Sequence, residues 1–453
     1  MKKSIKLNKQ ILILIVLFIS LQSCKKSVDF IAFNGNIYTV NSDFNTASAF
    51  AVNDGKFVDI GNEEILSKYN TNQKIDLDGS TVLPGLIDAH CHFYGLGLNQ
   101  SMIDLTGTNS FNEILEKISN KDNNIIRGRG WDQNDWKIKE FPNKEKLDLI
   151  YPNTPVILER IDGHAYLVNQ KALDIAGIDI KTESTNGTLL SKKGKLTGVL
   201  IDGPMSLIDN SFGEISLDDK IKALVSAQEI CFKNGLTTVD DAGLSKDIIM
   251  LIDSLQKKEL LKMRVYAMIS NSENDVNYFI ENGPIKTNSL NVRSVKVYGD
   301  GALGSRGATL KKPYSDDKHN YGKLVTSYKD IKDLANKLAE ANFQMNTHAI
   351  GDSTINLLID TYSKVLETKT DPRWRIEHSQ IIDINDIKGY NNKILPSVQP
   401  THATSDMYWA EERVGSKRIK GAHAYKALLE KSGAAHAQLK ALIDSMPRFQ
   451  EKI

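Results

Sequence analysis

Thr81-Val-Leu-Pro-Gly-Leu-Ile-Asp-Ala-His90-Cys91-His92 is the stretch on which the reading of this chain turns. A short apolar run ends in a histidine, a cysteine and a second histidine. In a strand, residues i and i+2 point to the same face, so His90 and His92 can bind one ion while Cys91 turns into the wall. Downstream, apolar stretches recur at 236–240, 264–269, 294–298, 343–348, 373–378 and 394–399, several of them ending in His, Asp or Gln, with helical composition at 217–234, 328–341 and 353–366. Alternating strands and helices imply a parallel sheet. Polar residues at C-terminal strand ends suit an α/β chain folded as a (β/α)8 TIM-type barrel, which carries its functional groups there. An open doubly wound sheet is the structural alternative, but no G-x-G-x-x-G follows a first strand to support a dinucleotide site.

Two later stretches supply further imidazoles. Gln-Met-Asn-Thr-His ends at His348 and Arg-Ile-Glu-His at His378. Four histidines at the ends of three apolar strands suit Zn²⁺ or a similar divalent ion, one or two in number. Lys296 lies between apolar residues in Ser-Val-Lys-Val-Tyr-Gly-Asp-Gly. A bare buried ammonium is costly. Lys296 therefore either pairs with a carboxylate such as Asp300 or is deprotonated and carries CO₂ as a carbamate bridging two metals. Candidate substrate contacts are His164 in Asp-Gly-His, Asp300, Arg306, and His402 in Gln-Pro-Thr-His. Three also have a plain structural reading, His164 as a loop hydrogen bonder, Asp300 and Arg306 as residues that shape the loop after strand 4, while His402 follows strand 7 and is expected near the metal site.

Outward from this centre, residues 24–82 read as a small β-sandwich part, rich in β-branched and aromatic residues and punctuated by Asn34-Gly35, Asn53-Asp54-Gly55 and Asp78-Gly79. The barrel would occupy 83–433. Residues from about 100 to 215 are too many for one connection and read as an inserted lobe over the barrel mouth. At the N-terminus, Lys2, Lys3, Lys6 and Lys9 precede an apolar run at 11–19. This is short for a membrane span, which needs roughly 20 residues, and has the size of a signal-peptide core, so 1–23 is expected to be removed. Leu21-Gln22-Ser23-Cys24 resembles a bacterial lipobox, with Cys24 lipidated. That implies an exported lipoprotein, anchored to a membrane by its N-terminus and facing the periplasm. With 57 Lys+Arg against 56 Asp+Glu, no electrostatic footprint marks a nucleic-acid partner. Only three cysteines occur, too few for a disulfide scaffold. A homo-oligomer is compatible with all of this.

The Leu-Pro-Gly-Leu-Ile-Asp-Ala-His-Cys-His run, the strand lysine and the two later strand histidines resemble the amidohydrolase superfamily. Gly-Arg-Gly-Trp-Asp, Asp-Gly-His-Ala, Asp-Gly-Ala-Leu-Gly-Ser-Arg-Gly-Ala and Asn-Thr-His-Ala-Ile-Gly-Asp resemble its amidohydrolase-3 branch, which includes proteins similar to N-substituted formamide deformylase. The resemblance runs from about Phe30 to about Gly433. It implies a metal-dependent barrel beside a β-sandwich, with His90 and His92 ending strand 1, Lys296 strand 4 as the carboxylated bridging lysine, His348 strand 5 and His378 strand 6. The implied reaction is hydrolysis of a non-peptide carbon–nitrogen bond in a small N-acyl or formamide-like amide. Metal-activated water attacks the carbonyl and a carboxylate shuttles the proton.

The pattern departs from that family at its end. The superfamily's carboxylate is an Asp ending strand 8. Here the match continues through His423-Ala-Tyr-Lys-Ala-Leu-Leu-Glu-Lys-Ser-Gly433 and then gives way to an Ala-, Leu- and Lys-rich run with helical spacing at Leu439, Leu442 and Met446. The barrel is therefore expected to be incomplete at strand 8, residues 434–453 form an atypical tail, and the catalytic carboxylate is unassigned. The competing expectation is an inactive amidohydrolase-like binding protein on the same scaffold.

Overall fold

The computed structural model describes residues 25–431, apart from 120, 122, 184–186 and 214. The expected signal peptide, the lipidation site Cys24 and the tail 434–453 lie outside the described residues. Among the described residues, no helix is long and apolar enough to cross a membrane. The chain divides into two compact units on either side of Leu86 and Ile87.

The first unit is strand-rich, as its composition suggests. Strands Lys56–Gly61, Ala49–Asn53, Phe30–Phe33 and Lys74–Asp76 pair in that order. Ile31, Ala49, Ala51 and Ile65 form its small core.

The second unit holds the parallel sheet. Its strands are β1 (Leu86–Cys91), β2 (Leu236–Leu244), β3 (Arg264–Ser270), β4 (Leu290–Tyr298), β5 (Gln344–Ala349), β6 (Trp374–His378) and β7 (Ile394–Ser397), paired in that order. The five pairs from β2 to β7 are all parallel. Among the described residues β1 and β7 each have one neighbour in the sheet. This is the incomplete barrel that the sequence leads one to expect. Helices α1 (Phe93–Asn99), α2 (Leu217–Lys233), α3 (Lys246–Lys257), α4 (Glu273–Asn282), α5 (Tyr328–Glu340) and α6 (Asp352–Val365) lie between the strands in sequence. Ser216, Ser272 and Ser327 cap α2, α4 and α5, each accepting a backbone N–H three residues on.

Strand alternation sorts the side chains. Val295 and Val297 on β4, Met345 and Ala349 on β5, and Trp374 and Ile376 on β6 belong to the main apolar core with Leu338, Leu358 and Tyr362 of the helices. Burying each large apolar side chain contributes roughly 1.5–3 kcal/mol. The intervening positions, Ser294, Lys296, Asn346, His348, Arg375 and Glu377, fall on the opposite, inner face. All but Arg375 are buried.

Residues 103–202 form the inserted lobe. Its sheet runs Ile103–Asp104, Ile126–Trp131, Val156–Arg160, Ala165–Val168, Lys195–Asp202, Gly187–Lys192. The lobe has its own core, built on Trp131, Trp136, Leu147, Leu158 and Leu167.

Candidate metal centre

The strand ends bring the histidines together. His90 lies in β1, and His92 is the N-cap residue of α1 just beyond it. His348 ends the inward-facing series of β5. On β6, alternation would send His378 outward with Trp374 and Ile376. Its backbone instead turns left-handed (φ 70°), and its ring stands with the others. Ring centroids are 5.7 Å apart for His92 and His90, 4.6 Å for His90 and His378, and 4.6 Å for His378 and His348. Neighbouring rings meet edge to face, at 67–90°. Lys296, 1% exposed, has its Nζ 5.0 Å from the Tyr298 ring centroid, and that ring is 5.8 Å from His348.

Two of the four candidate substrate contacts join this cluster. His164 reaches in from the lobe to 5.0 Å from the His348 ring, and its Nδ1 bonds Asp202 Oδ1 at 2.6 Å. His402 stacks on His378 at 5.3 Å. The other two have structural partners of their own, although Asp300 Oδ1 also stands 3.8 Å from His348 Nε2. Asp300 is fully buried and its carboxylate accepts three backbone N–H groups, from Ile350 (2.9 Å), Gly351 (2.9 Å) and Thr309 (2.8 Å). It therefore ties the loop after β4 to the loop after β5. Arg306 pairs with Asp316 at 2.9 Å. Arg306 and Asp316 line a cleft of about 430 Å³ with Asp202, Phe141 and Lys323.

Burial dominates the electrostatics. It lowers the pKa of His90 and His92, that of His92 to about 3, and Lys296 adds to both shifts. Burial likewise holds His348 and His378 well below the usual imidazole range. His402 is lowered to about 4 by burial, then by His90. All are thus neutral near pH 7, the form that ligates metals. Lys296 is lowered to about 8, mainly by burial, with Arg375 adding to the shift and Glu377 opposing it. Among the described residues no carboxylate lies within salt-bridge distance of Lys296 Nζ. His164 differs: burial lowers its pKa, but Asp202 more than offsets this and leaves it raised.

One atom tests whether these residues suit a cation. His90 donates from Nδ1 to Glu377 Oε2 at 2.6 Å, which leaves Nε2 as a bare lone pair. That Nε2 is buried and has no partner. Among the described residues no three His, Cys, Asp or Glu side chains stand as a ready-made ion cage. The donor chemistry nevertheless fits a divalent ion: four neutral imidazoles, one with an orphaned lone pair, beside an uncompensated lysine.

Sequence reasoning passed over Glu377, Arg375 and Asp240. Glu377 is fully buried next to His378 and also accepts from Arg375 Nε at 2.6 Å. Arg375 in turn donates to Asp240 Oδ2 on β2 at 2.8 Å. The i, i+2 spacing of Arg375 and Glu377, two charges inside an otherwise apolar strand, was the available signal.

Comparison with known proteins identifies the family. Protein LONG AFTER FAR-RED 3 of Arabidopsis thaliana is 30% identical over 427 residues, covering 88% of this chain and 73% of its own. N-substituted formamide deformylase of Arthrobacter pascens is 25% identical over 381 residues, covering 78% and 69%. The crystal structure of an uncharacterized metal-dependent hydrolase from Pyrococcus horikoshii OT3 superposes with a TM-score of 0.70 at 27% identity, covering 89% of this chain and 80% of that one. The amidohydrolase family model of the amidohydrolase-3 branch matches residues 73–434, most of the chain, and the protein belongs to the amidohydrolase family.

Proposed function

We propose that this hydrolase cleaves non-peptide carbon–nitrogen bonds, with an N-acyl or formamide-like amide as substrate, and depends on a divalent metal, zinc by its donor set. The observation that carries the reading is the contiguous run of His92, His90, His378 and His348 rings with the orphaned Nε2 of His90 among them. These four residues would hold the metal, with Lys296 as the bridging carbamate if two ions bind. A divalent ion supplies a water acidified to near-neutral pKa and a polarised carbonyl oxygen.

The chain's own groups do the rest. The buried inner face excludes bulk water. His164, oriented by Asp202, and His402, stacked on His378, flank the ligand set and can hydrogen-bond the substrate. The lobe provides the opposite wall. The proposal extends to location: an exported protein, tethered to a membrane through lipidated Cys24, acting on a small molecule outside the cytoplasm.

A second reading, an amidohydrolase-like protein that binds ligand without turning it over, has one observation in its favour. Among the described residues no carboxylate-bearing strand follows β7. The purified soluble body, supplied with Zn²⁺, separates the two. Bound metal together with hydrolysis of a panel of N-formyl and N-acyl amides supports the enzyme. Bound metal without turnover supports the second reading, and no bound metal overturns both.

A further inference from the structure

The polar groups beneath the histidines form a connected series across the inner face of the sheet. Asp240 on β2 accepts from Arg375 Nη1 (2.8 Å), Arg375 on β6 donates from Nε to Glu377 Oε1 (2.6 Å), and Glu377 Oε2 accepts from His90 Nδ1 on β1 (2.6 Å). β1 and β6 are not neighbours in the sheet, so this series joins them through side chains alone. Glu377 is fully buried. A carboxylate held by the Arg375 guanidinium accepts hydrogen bonds, so His90 donates from Nδ1, and in the neutral ring Nε2 is then the acceptor, which has no hydrogen-bond partner.

We propose that Glu377, backed by Arg375 and Asp240, is a positioning residue that fixes the tautomer and ring orientation of His90 so that Nε2 is presented to a cation. This rests on the metal reading above for the identity of what Nε2 meets, but not for the orientation of His90. Arg375, bonded to the other carboxylate oxygen, stops Glu377 from rotating away from His90. Asp240 holds the other end of the Arg375 guanidinium in place. Partners of this kind, behind a ligating histidine, commonly change metal affinity 10- to 100-fold.

The test uses the purified chain and two readouts. The first is Zn²⁺ affinity, by competition with a chromophoric chelator. The second is the ¹⁵N shifts of His90 in metal-free, ¹⁵N-histidine-labelled protein, assigned with His90→Gln. Wild type should show His90 as the Nδ1–H tautomer. Glu377→Gln should lose about 10- to 100-fold in Zn²⁺ affinity and show mixed tautomers, because an amide can accept from Nδ1 or donate to it. In a His90→Asn background the same substitution should change affinity less than about twofold, because its effect runs through His90. If Glu377→Gln does not fold, Asp240→Asn carries the test, with a smaller affinity loss and a shifted His90 signal expected. An affinity within twofold of wild type together with an unaltered His90 tautomer, in whichever variant folds, overturns the proposal. A wild type that binds no ion yet shows the Nδ1–H form, lost in Glu377→Gln, would remove the metal reading and leave the positioning role standing.

Discussion

At His378 the backbone, rather than strand alternation, aims the ring. Both His378 (φ 70°) and Ser379 (φ 44°) are left-handed. Histidine and asparagine tolerate that region better than most residues, and β-branched ones tolerate it least. His378→Asn should therefore stay within about 1 kcal/mol of wild type in urea unfolding without metal, while its Zn²⁺ affinity falls more than tenfold. His378→Val should lose a further 1–3 kcal/mol or so; equal midpoints for the two variants would show that the turn stores no strain. Lys296 makes the opposite prediction. It is a buried ammonium with no carboxylate in salt-bridge distance among the described residues, so Lys296→Met should stabilise the metal-free chain by about 1 kcal/mol or more and, if two ions bind, leave at most one. A calorimetric melting temperature below wild type would instead make Lys296 a structural post. The sequence displays the histidines because each ends an apolar strand. It marks Glu377 only by its spacing from Arg375 and leaves Asp240 unmarked among 56 acidic residues, and the histidine partner of Glu377 is 287 positions away.

Elements carry the strand ends to their places, and two contacts show how tightly. In α1, a Cβ on Gly97 would stand 1.9 Å from the Ala223 carbonyl oxygen of α2. Gly97→Ala must push the helices apart, at about 1–3 kcal/mol or more. Because α1 begins at His92, Zn²⁺ affinity should fall with the urea midpoint; a lowered midpoint at unchanged affinity would uncouple the two. Asp300 acts between loops. Asp300→Asn replaces one acceptor oxygen with a donor facing backbone N–H groups, so stability should drop by about 1–3 kcal/mol. If Asp300 were instead a substrate contact, KM would rise at an unchanged midpoint. The strands were legible as apolar runs, and α2 and α5 as long amphipathic stretches. The far end of β2 was not, because Asp240-Asp241-Ala242-Gly243 reads as a stop. A bulge between Ala242 and Leu244, with Gly243 at φ 109°, carries the strand on to Leu244. The lobe was legible as an insertion only, because its sheet mixes parallel and antiparallel pairs from distant segments.

Over the whole second unit, the lobe is fastened to the segment after β7 by polar contacts. Arg413 donates to Asn134 Oδ1 at 2.7 Å, while within the lobe Arg160 is buried between Asp132 and Asp162. Asp406 sits close by, accepting from Gln380 Nε2 at 2.6 Å. Burial raises its carboxyl to about 6; the bonds from Ser405 and Gln380 oppose this, while Asp132 and Asp162 add repulsion. Tyr425 also faces it. The fold therefore prefers the protonated form. Its contribution is fully present below the unfolded value of 3.8 and is lost as pH rises through about 6. Asp406→Asn should flatten that part of the stability–pH curve in chemical denaturation; an unchanged slope would assign it to another group. The barrel class was readable at this scale because a parallel sheet needs strands and helices to alternate. The link between His90 and Glu377 has a further consequence, in time rather than in space. Translation adds about 5–20 residues per second, so Glu377 leaves the ribosome roughly 15–60 s after His90, and for that interval the His90–His92 pair has a sulfur neighbour, Cys91, but no carboxylate to set its proton. The hydrogen bond that sets the His90 proton can form only after β6 has been made and docked.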